Sequence, residues 1–290
     1  MPRIAILGSN GFLGKPIATA FEVKNWEVFS LNRTLSSNPQ SKNLFADLFD
    51  ENSLEIALRN LKPNVVVSTA WDTEHGKFWT NESNNRYKDA TLRFAEMSFE
   101  YGVETFIGLG TMSEYGTSPG RCNNVFTPVS PTNIYSKSKI ETGLQLFQIG
   151  NKYGKKTHWA RIFQAFGPNE KNERFIPSLL QRLSRNESIS IRTPNFRMDW
   201  IHTEDIASAI VFTLENELDH FVDIGTSVGT TVRELSELIC QEFNFDKSLL
   251  DYADQELGHE KTAIVDTDTQ LLAQGWKPAE SLSRRVRSLR

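Results

Sequence analysis

The chain contains little of what marks several common classes of protein. Its 290 residues include only two cysteines, Cys122 and Cys240, which form neither a CxxC motif nor a disulfide framework and therefore fit a reducing compartment. No apolar run approaches the length that a membrane-spanning helix needs. The first residues also lack the charged start and cleavage site of a secretory signal peptide. We therefore expect a cytoplasmic protein with no membrane partner.

A strong excess of charge is also missing from the sequence. The formal net charge of −4 provides no general attraction to nucleic acid, so we expect no nucleic-acid partner. We find no internal repeat, no low-complexity linker and no spacing of acidic and histidine residues that matches a metal site. The composition is that of a globular protein, and the length favours one large domain with a smaller appendage.

Short apolar runs alternate with longer segments of helical periodicity in the first 164 residues. The runs are continuous rather than alternating in polarity, which is typical of parallel strands that are buried on both faces. The predicted strands are 4–7, 28–31, 65–68, 106–109 and 159–163, and the predicted helices are 12–24, 51–60, 83–102 and 134–153. This order predicts an α/β fold, a Rossmann-type doubly wound parallel sheet with helices on both faces.

The alternation becomes weaker beyond residue 167. There the pattern predicts helices at 173–186 and 231–243 and strands at 188–192 and 199–201. We expect Thr203 to cap another helix, whose first turn carries Glu204 and Asp205. We predict a dinucleotide-binding domain and a smaller, discontinuous substrate-binding domain. The first spans 1–164, with 197–224 returning to it, and the second spans 165–196 and 225–290.

A glycine motif, Gly8-x-x-Gly11-x-x-Gly14, follows the first predicted strand and leads into the first predicted helix. Gly8 permits a tight turn, Gly11 lets the backbone approach a pyrophosphate, and Gly14 lets the helix pack closely on the sheet. The free N–H groups at the start of the helix favour bound phosphate. The motif therefore predicts a dinucleotide-binding site.

A second motif, Tyr135-x-x-x-Lys139, opens a predicted helix and places both side chains on one face. A free phenol has a pKa near ~10, and we expect the Lys139 ammonium to lower the pKa of Tyr135 toward working pH. Thr111 follows the predicted strand 106–109 and supplies a hydroxyl that can orient a substrate oxygen. Together with the glycine motif, these residues predict hydride transfer on a polar carbonyl or carbinol substrate.

With these motifs the chain resembles the extended short-chain dehydrogenase/reductase family, of the NAD(P)-dependent epimerase/dehydratase type. Members begin with GxxGxxG, and Thr111 lies four residues before Tyr115-Gly116, where the family places its catalytic Ser or Thr. Pro128-x-x-Pro131 before Tyr135 is a further match. The resemblance implies that Thr111, Tyr135 and Lys139 are catalytic. It also implies cofactor contacts by Gly8, Asn10, Gly11, Phe12, Leu13, Gly14, Asn32, Arg33, Asp47, Leu48, Thr69, Ala70, Trp71, Tyr135 and Lys139.

Cofactor choice depends on the residue that ends the second strand. Folds that prefer NAD place an acidic residue there to bind the ribose hydroxyls, whereas this chain has Asn32 followed by Arg33. A neutral amide beside a guanidinium can accommodate a 2′-phosphate. We therefore favour NADP(H) over NAD(H). The alternative is that Arg33 stacks on the adenine or points into water.

The residues after Thr111 narrow the reaction. Sugar dehydratases of this family carry an Asp-Glu pair there, but this chain has Met112-Ser113, so dehydration is disfavoured. The resemblance is closest to nucleotide-sugar 4-ketoreductases, and we predict NADP(H)-dependent reduction of a keto group of a nucleotide-linked 4-keto-6-deoxyhexose. The alternatives are an NAD-dependent nucleotide-sugar epimerase, a reductase of a non-nucleotide carbonyl compound and a non-catalytic NADP-binding regulator.

Substrate contacts are implied by the resemblance alone. The residues concerned are Met112, Ser113, Gln164 in place of the family's Asn, Arg174 for the diphosphate, and Arg197, which is one place from the family's usual arginine. The loop 72–79 should border the sugar pocket, with Lys77 and Trp79 as possible contacts, whereas His202 is expected to be structural. The resemblance also implies a homodimer formed through the helices 83–102 and 134–153.

Overall fold

The structure, a computed structural model, describes residues 1–34, 42–74, 76–253 and 262–290. The strands in these ranges are β1 (Arg3–Leu7), β2 (Glu27–Asn32), β3 (Asn43–Phe45), β4 (Val65–Ser68), β5 (Thr105–Thr111), β6 (Gly120–Cys122), β7 (Lys156–Ile162), β8 (Gln164–Phe166), β9 (Ile189–Ile191), β10 (Arg197–His202), β11 (Phe221–Ile224), β12 (Gly229–Thr231), β13 (Leu250–Tyr252) and β14 (Thr262–Val265). The helices are α1 (Gly14–Val23), α2 (Glu51–Leu61), α3 (Ser83–Glu100), α4 (Ile134–Tyr153), α5 (Phe175–Ser184), α6 (Thr203–Glu215), α7 (Val232–Phe243), α8 (Gln270–Ala273) and α9 (Leu282–Arg287). No helix in the described ranges has the length and apolar character required to cross a membrane.

Seven strands form one parallel sheet in the order β11-β7-β5-β4-β1-β2-β3. The chain runs outward from β1 to β3 and then returns to the other side of β1 as β4. This reversal creates a switch point between β1 and β4, where ligands of doubly wound sheets bind. The predicted Rossmann-type fold is confirmed.

The two faces of this sheet are both covered by helices. Ile4 and Ile6 of β1 pack toward α1 and α6, whereas Ala5 and Leu7 point to the opposite face, toward α2, α3 and α4. Successive side chains of a strand point to opposite faces, so a strand that is covered on both sides must be apolar at every position. This explains why the strand runs of the sequence are continuous.

The remaining strands form two smaller sheets. Strand β10 lies at the centre of the larger one, between antiparallel β12 and parallel β14, with β6 beyond β14, and it also pairs with β8. Strands β9 and β13 form a parallel pair. The helices α5, α7 and α9 contribute to a separate apolar cluster with β9, β10 and β13. The division into two domains at the predicted boundaries stays a prediction.

At the starts of α6 and α7, side chains accept hydrogen bonds from backbone N–H groups that have no partner within the helix. The side chain that caps α6 is His202, whose Nδ1 accepts the N–H of Glu204 at 3.3 Å, and Thr203 is already the first helical residue. The expectation that Thr203 is the cap is therefore wrong by one position. Thr231 caps α7 by accepting the N–H of Glu234 at 3.0 Å.

Candidate active site

The turns that follow the parallel strands meet at one edge of the sheet and enclose a cavity of about 760 Å³. Parallel strands share the edge at which their carboxyl ends lie, so residues distant in sequence come together there. The predicted site residues that line the cavity are Gly8, Asn10, Gly11, Phe12, Leu13, Asn32, Arg33, Asp47, Leu48, Thr69, Ala70, Trp71, Thr111, Met112, Ser113, Tyr135, Lys139, Gln164 and Arg174. Of the predicted residues, Gly14, Lys77 and Arg197 are not part of this lining.

The glycine turn between β1 and α1 leaves no space for side chains on its glycines. Gly8 has a φ of +84°, and a Cβ on it would lie 2.6 Å from Thr69 Oγ1. A Cβ on Gly14 would lie 2.1 Å from the Gly8 carbonyl oxygen, so Gly14 supports the turn from behind. No side chain caps α1 at Leu13, which leaves the helix N-terminus to an anionic ligand. The turn therefore fits a dinucleotide pyrophosphate.

Asn32 at the end of β2 is buried and fully engaged within the protein. Its Oδ1 accepts the N–H of Asn10 at 3.1 Å, and its Nδ2 donates to Ser9 Oγ at 2.8 Å and to Asn43 Oδ1 at 3.1 Å. Asn32 thus ties the glycine turn to β3. The neighbouring Arg33 is exposed and lines the cavity, so it is the residue at this strand end that can reach a ligand.

Thr111, Tyr135 and Lys139 lie together in the cavity wall. Strand β5 ends at Thr111. Helix α4 begins after Asn133, which caps it in a capping box, and the helix packs against β5 and the 3-10 turn that follows Thr111. Tyr135 and Lys139 are 8% and 5% exposed. Lys139 Nζ donates to the Leu109 carbonyl at 2.8 Å, and Tyr135 lies near enough to Thr111 for that side chain to lower the pKa of the phenol. The structure therefore brings the predicted catalytic set together.

Aromatic rings surround the Lys139 ammonium. Nζ lies 3.7 Å from the centre of the Trp71 ring, 5.6 Å from that of Trp159 and 5.8 Å from that of Tyr135. The Trp71 indole is itself fixed, because its Nε1 donates to Asn84 Oδ1 at 2.8 Å. A cation over an indole face is attracted by the ring quadrupole. Lys139 is therefore held in place by a carbonyl and a ring rather than by the phenol.

This arrangement corrects the expected pKa of Tyr135. Burial raises that pKa to about 12, although the Thr111 side chain acts in the opposite direction. Burial also lowers the pKa of Lys139 to about 7, with the Glu114 charge opposing the shift. The predicted lowering of the Tyr135 pKa by Lys139 is thus wrong for this state of the protein, because burial disfavours both charged forms. Tyr135 is a protonated phenol at neutral pH and can serve as a proton donor.

The predicted substrate residues occupy the end of the cavity beyond Thr111. Met112, Ser113 and Gln164 line it, as does Arg174, whose Nε lies 3.6 Å from Glu170 Oε1. Glu170 was not predicted as a site residue. Burial raises its pKa to about 7, while the Arg174 charge opposes the shift. This end of the cavity therefore carries a guanidinium that can meet an anionic group of a ligand.

Two other predicted residues lie elsewhere. Arg197 on β10 donates to the Gly229 carbonyl at 2.9 Å and faces Glu234 at 3.4 Å, because β12 and the start of α7 supply acceptors there. Lys77 pairs with Glu74 at 2.6 Å and is not part of the cavity lining, whereas Trp79 of the same loop is part of it.

Two buried charged residues behind Thr111, Glu114 and Arg161, were missed as site residues by the sequence analysis. Glu114 is fully buried in the 3-10 turn Met112–Tyr115, and it accepts the N–H of Thr111 at 3.0 Å, Trp159 Nε1–H at 2.9 Å and Arg161 Nε–H at 2.7 Å. The available signal was a charged residue, Arg161, within the otherwise buried strand β7; the segment around Glu114 carried no such signal. Glu114 and Arg161 are 47 positions apart, so no local periodicity could join them.

Comparison with known proteins places the chain in a family. The low-salt glycan biosynthesis protein Agl12 of Haloferax volcanii is 23% identical over 65% of this chain and 61% of its own length, so the chain spans less than two thirds of that relative. The dTDP-6-deoxy-L-talose 4-dehydrogenase (NAD(P)(+)) of Kitasatospora kifunensis is 22% identical over 99% of this chain and 94% of its own. The solved UDP-glucose 4-epimerase of Thermotoga maritima with UDP-glucose has a TM-score of 0.85 at 22% identity, over 99% of this chain and 97% of that one. Residues 4–225 match the model of the NAD dependent epimerase/dehydratase family, and the chain therefore belongs to that family.

Proposed function

We propose that the protein is an NADP(H)-dependent reductase that acts on the keto group of a nucleotide-linked sugar, at C4 of a 4-keto-6-deoxyhexose. The observation that carries this proposal is that Thr111, Tyr135 and Lys139 border the same cavity as the glycine turn. The Kitasatospora relative supports the reaction class, because its name describes the oxidation at C4 of a dTDP-6-deoxysugar. A 4-ketoreduction is the reverse of such an oxidation.

The roles of the three side chains follow from their geometry and charge. A nicotinamide dinucleotide supplies the hydride when bound. Tyr135, whose pKa of about 12 keeps it protonated at neutral pH, donates its proton to the carbonyl oxygen as negative charge develops there. The hydroxyl of Thr111 orients the same oxygen. Lys139 would bind the ribose hydroxyls of the cofactor, and its ammonium, when protonated, would stabilise the phenolate that remains.

The residues beside this set support reduction rather than dehydration. Met112 and Ser113 follow Thr111 in the cavity lining, and neither side chain can act as the acid or base that elimination of water would need. Arg174 lies at the same end of the cavity and is proposed to bind the diphosphate of the nucleotide. Binding would compete with the contact that Arg174 makes to Glu170.

The proposed preference for NADP(H) depends on the end of β2. The side chain there is the Asn32 amide, which is held within the protein, so no carboxylate of β2 would repel a 2′-phosphate. Arg33 is exposed beside it in the cavity lining and would form charge-assisted hydrogen bonds with that phosphate. The main alternative is an NAD-dependent nucleotide-sugar epimerase; the Thermotoga structure that shares the fold is described as a UDP-glucose 4-epimerase.

The experiment that tests these proposals is a substrate screen. Purified protein is incubated with NADPH and 4-keto-6-deoxyhexoses linked to dTDP, UDP, GDP or CDP, with NADH in parallel, and the absorbance of the reduced nicotinamide is followed. We expect NADPH consumption with one nucleotide class and a product reduced at C4. If denaturing the purified protein releases NAD, and sugar isomers form without consumption of NADPH, the protein is an epimerase. Cofactor binding without turnover on any substrate would instead indicate a regulator.

We further propose that the protein is a cytoplasmic homodimer. Its two cysteines are free and buried, which fits a reducing compartment. Helices α3 and α4 pack side by side, and α4 exposes Leu144 and Phe147, which are 48% and 45% accessible. Apolar side chains of this size on one helix can support contact between two copies. Light scattering should give the mass of a dimer for the wild type and that of a monomer for Phe147→Glu.

A further inference from the structure

Glu114 lies directly behind the catalytic set and contacts its backbone. One carboxylate oxygen, Oε1, accepts the N–H of Thr111 and the indole N–H of Trp159. The approach is so close that a Cβ on Gly110 would lie 2.6 Å from Oε1. Glu114 thus fixes the end of β5, where the Thr111 side chain turns toward Tyr135. A shift of this carboxylate would move the hydroxyl that Tyr135 contacts.

Besides its contact with the backbone of Thr111, Glu114 contributes to the balance of buried charge around Lys139. Its ammonium meets the Leu109 carbonyl and the Trp71 ring, neither of which carries a negative charge. The ring centre of Tyr135 from α4 lies 5.8 Å from Nζ. Glu114 from the 3-10 turn is hydrogen-bonded to the indole of Trp159, whose ring centre lies 5.6 Å from Nζ. Tyr135 is neutral, so Glu114 is the anion of this set, and its charge favours the protonated lysine.

Arg161 from β7 is the other cation in this region, and it has a second anion. Its Nη1 donates to the Tyr115 hydroxyl at 3.0 Å, and that hydroxyl donates to both carboxylate oxygens of Asp223, at 2.8 and 2.9 Å. Two buried carboxylates therefore balance the two buried cations Arg161 and Lys139. Pairing of this kind is what makes buried charges tolerable in a protein interior.

We propose that Glu114 is a positioning residue, which holds Thr111 through its backbone N–H and serves as the buried counter-charge that favours the ammonium form of Lys139. The link to catalysis rests on the proposed reductase function. The link to Lys139 protonation does not, since it concerns the protein without its ligands.

The decisive variant is Glu114→Gln, which keeps the shape of the side chain and an acceptor oxygen for Thr111 and Trp159 but removes the charge. The protein is labelled with ¹³C-lysine and titrated by NMR without cofactor, and Lys139→Met identifies the Lys139 signal. In the wild type this signal should titrate near the Lys139 pKa of about 7. In Glu114→Gln the midpoint should fall by about one pH unit, an approximately tenfold weaker proton affinity. The alkaline limb of kcat should move by the same amount.

Two further variants separate the counter-charge from a general structural effect. Tyr115→Phe breaks the contact between Arg161 and Asp223 but keeps Glu114, so it should leave the Lys139 midpoint unchanged. Glu114→Asp retains the charge on a shorter side chain, so it should keep the midpoint and lower kcat through the weakened hold on Thr111. If Glu114→Gln does not fold, Glu114→Asp decides, since a midpoint that falls in this variant overturns the proposal.

An unchanged Lys139 midpoint in folded Glu114→Gln would also overturn the proposal, whatever happens to turnover. A shifted midpoint in a protein that reduces none of the nucleotide sugars would have a different meaning. It would support the counter-charge role and reject the proposed reductase function, so the two failures can be told apart.

Discussion

Replacement of Tyr135 by phenylalanine tests the proton donor directly. The substitution removes only the hydroxyl, whose pKa the neighbouring Thr111 side chain lowers. The ring remains and can keep its edge-to-face contacts with Phe78 and Trp79, whose ring centres lie 4.8 and 5.6 Å away. We therefore expect the variant to fold and to bind NADPH almost as well as the wild type.

In Tyr135→Phe the loss of stability should be small and the loss of turnover large. Even loss of a full neutral hydrogen bond would lower the free energy of unfolding by only about 1 kcal/mol. Thr111 Oγ1 also accepts the N–H of Ser113 at 3.3 Å, so it keeps one partner. Loss of a general acid, in contrast, lowers turnover by about 10²–10⁴-fold, which corresponds to about 3–5 kcal/mol of activation free energy.

The assay combines NADPH oxidation with chemical denaturation. Tyr153→Phe is the matched control, because Tyr153 lies at the far end of the same helix and its hydroxyl donates to Glu100 at 3.0 Å. The control should retain full turnover and lose only a similar, small amount of stability. Turnover of Tyr135→Phe that equals the wild type would refute the assignment of Tyr135 as the proton donor.

Three further predictions concern charge, the glycine turn and cofactor choice. The pKa of Lys139 falls from its ordinary 10.5 to about 7 on folding, so this group makes the free energy of unfolding rise with pH between those values. In urea titrations, Lys139→Met should be more stable than the wild type at pH 6 by about 1–4 kcal/mol, and the difference should narrow toward pH 10. The variant should be inactive, and a lower stability than that of the wild type at pH 6 would contradict this prediction. In Gly14→Ala the new Cβ would lie 2.1 Å from the Gly8 carbonyl oxygen, so the free energy of unfolding should fall by about 1–3 kcal/mol. In Gly11→Ala the Cβ would lie 3.1 Å from the same oxygen, so this variant should lose less stability but bind the cofactor more weakly. Equal losses of stability in the two variants would count against the close packing at Gly14. Arg33→Ala should lower kcat/KM for NADPH about tenfold relative to NADH, and an equal decrease for both cofactors would reject the 2′-phosphate contact.

Much of the fold could be predicted because its determinants are local. The run Ile4–Leu7 is apolar at every position, and it becomes a strand whose alternate side chains enter two different clusters. The glycine turn depends on residues only three positions apart. Tyr135 and Lys139 are one helical turn apart, so their common face follows from the period of the helix.

The remaining features depend on distant partners or on burial, which a sequence pattern does not contain. Strand β6 pairs with β14, and β12 pairs with β10. Because β6 and β12 have only three residues each, they are too short for a periodic pattern to predict them. Glu114 and Arg161 meet only after β5 and β7 have paired. The spacing of Tyr135 and Lys139 was sufficient to place them together. It could not show that burial, rather than a neighbouring charge, sets their protonation.

Strand β11 has a consequence for the order in which a nascent chain can mature. It occupies one margin of the large sheet, pairs there with β7, and carries Asp223, which accepts the Tyr115 hydroxyl from 108 residues earlier. The other six strands of this sheet, β1 to β5 and β7, all emerge from the ribosome before it. The hydrogen bond that joins Tyr115 to Asp223 can therefore form only after the chain has been synthesised through residue 223.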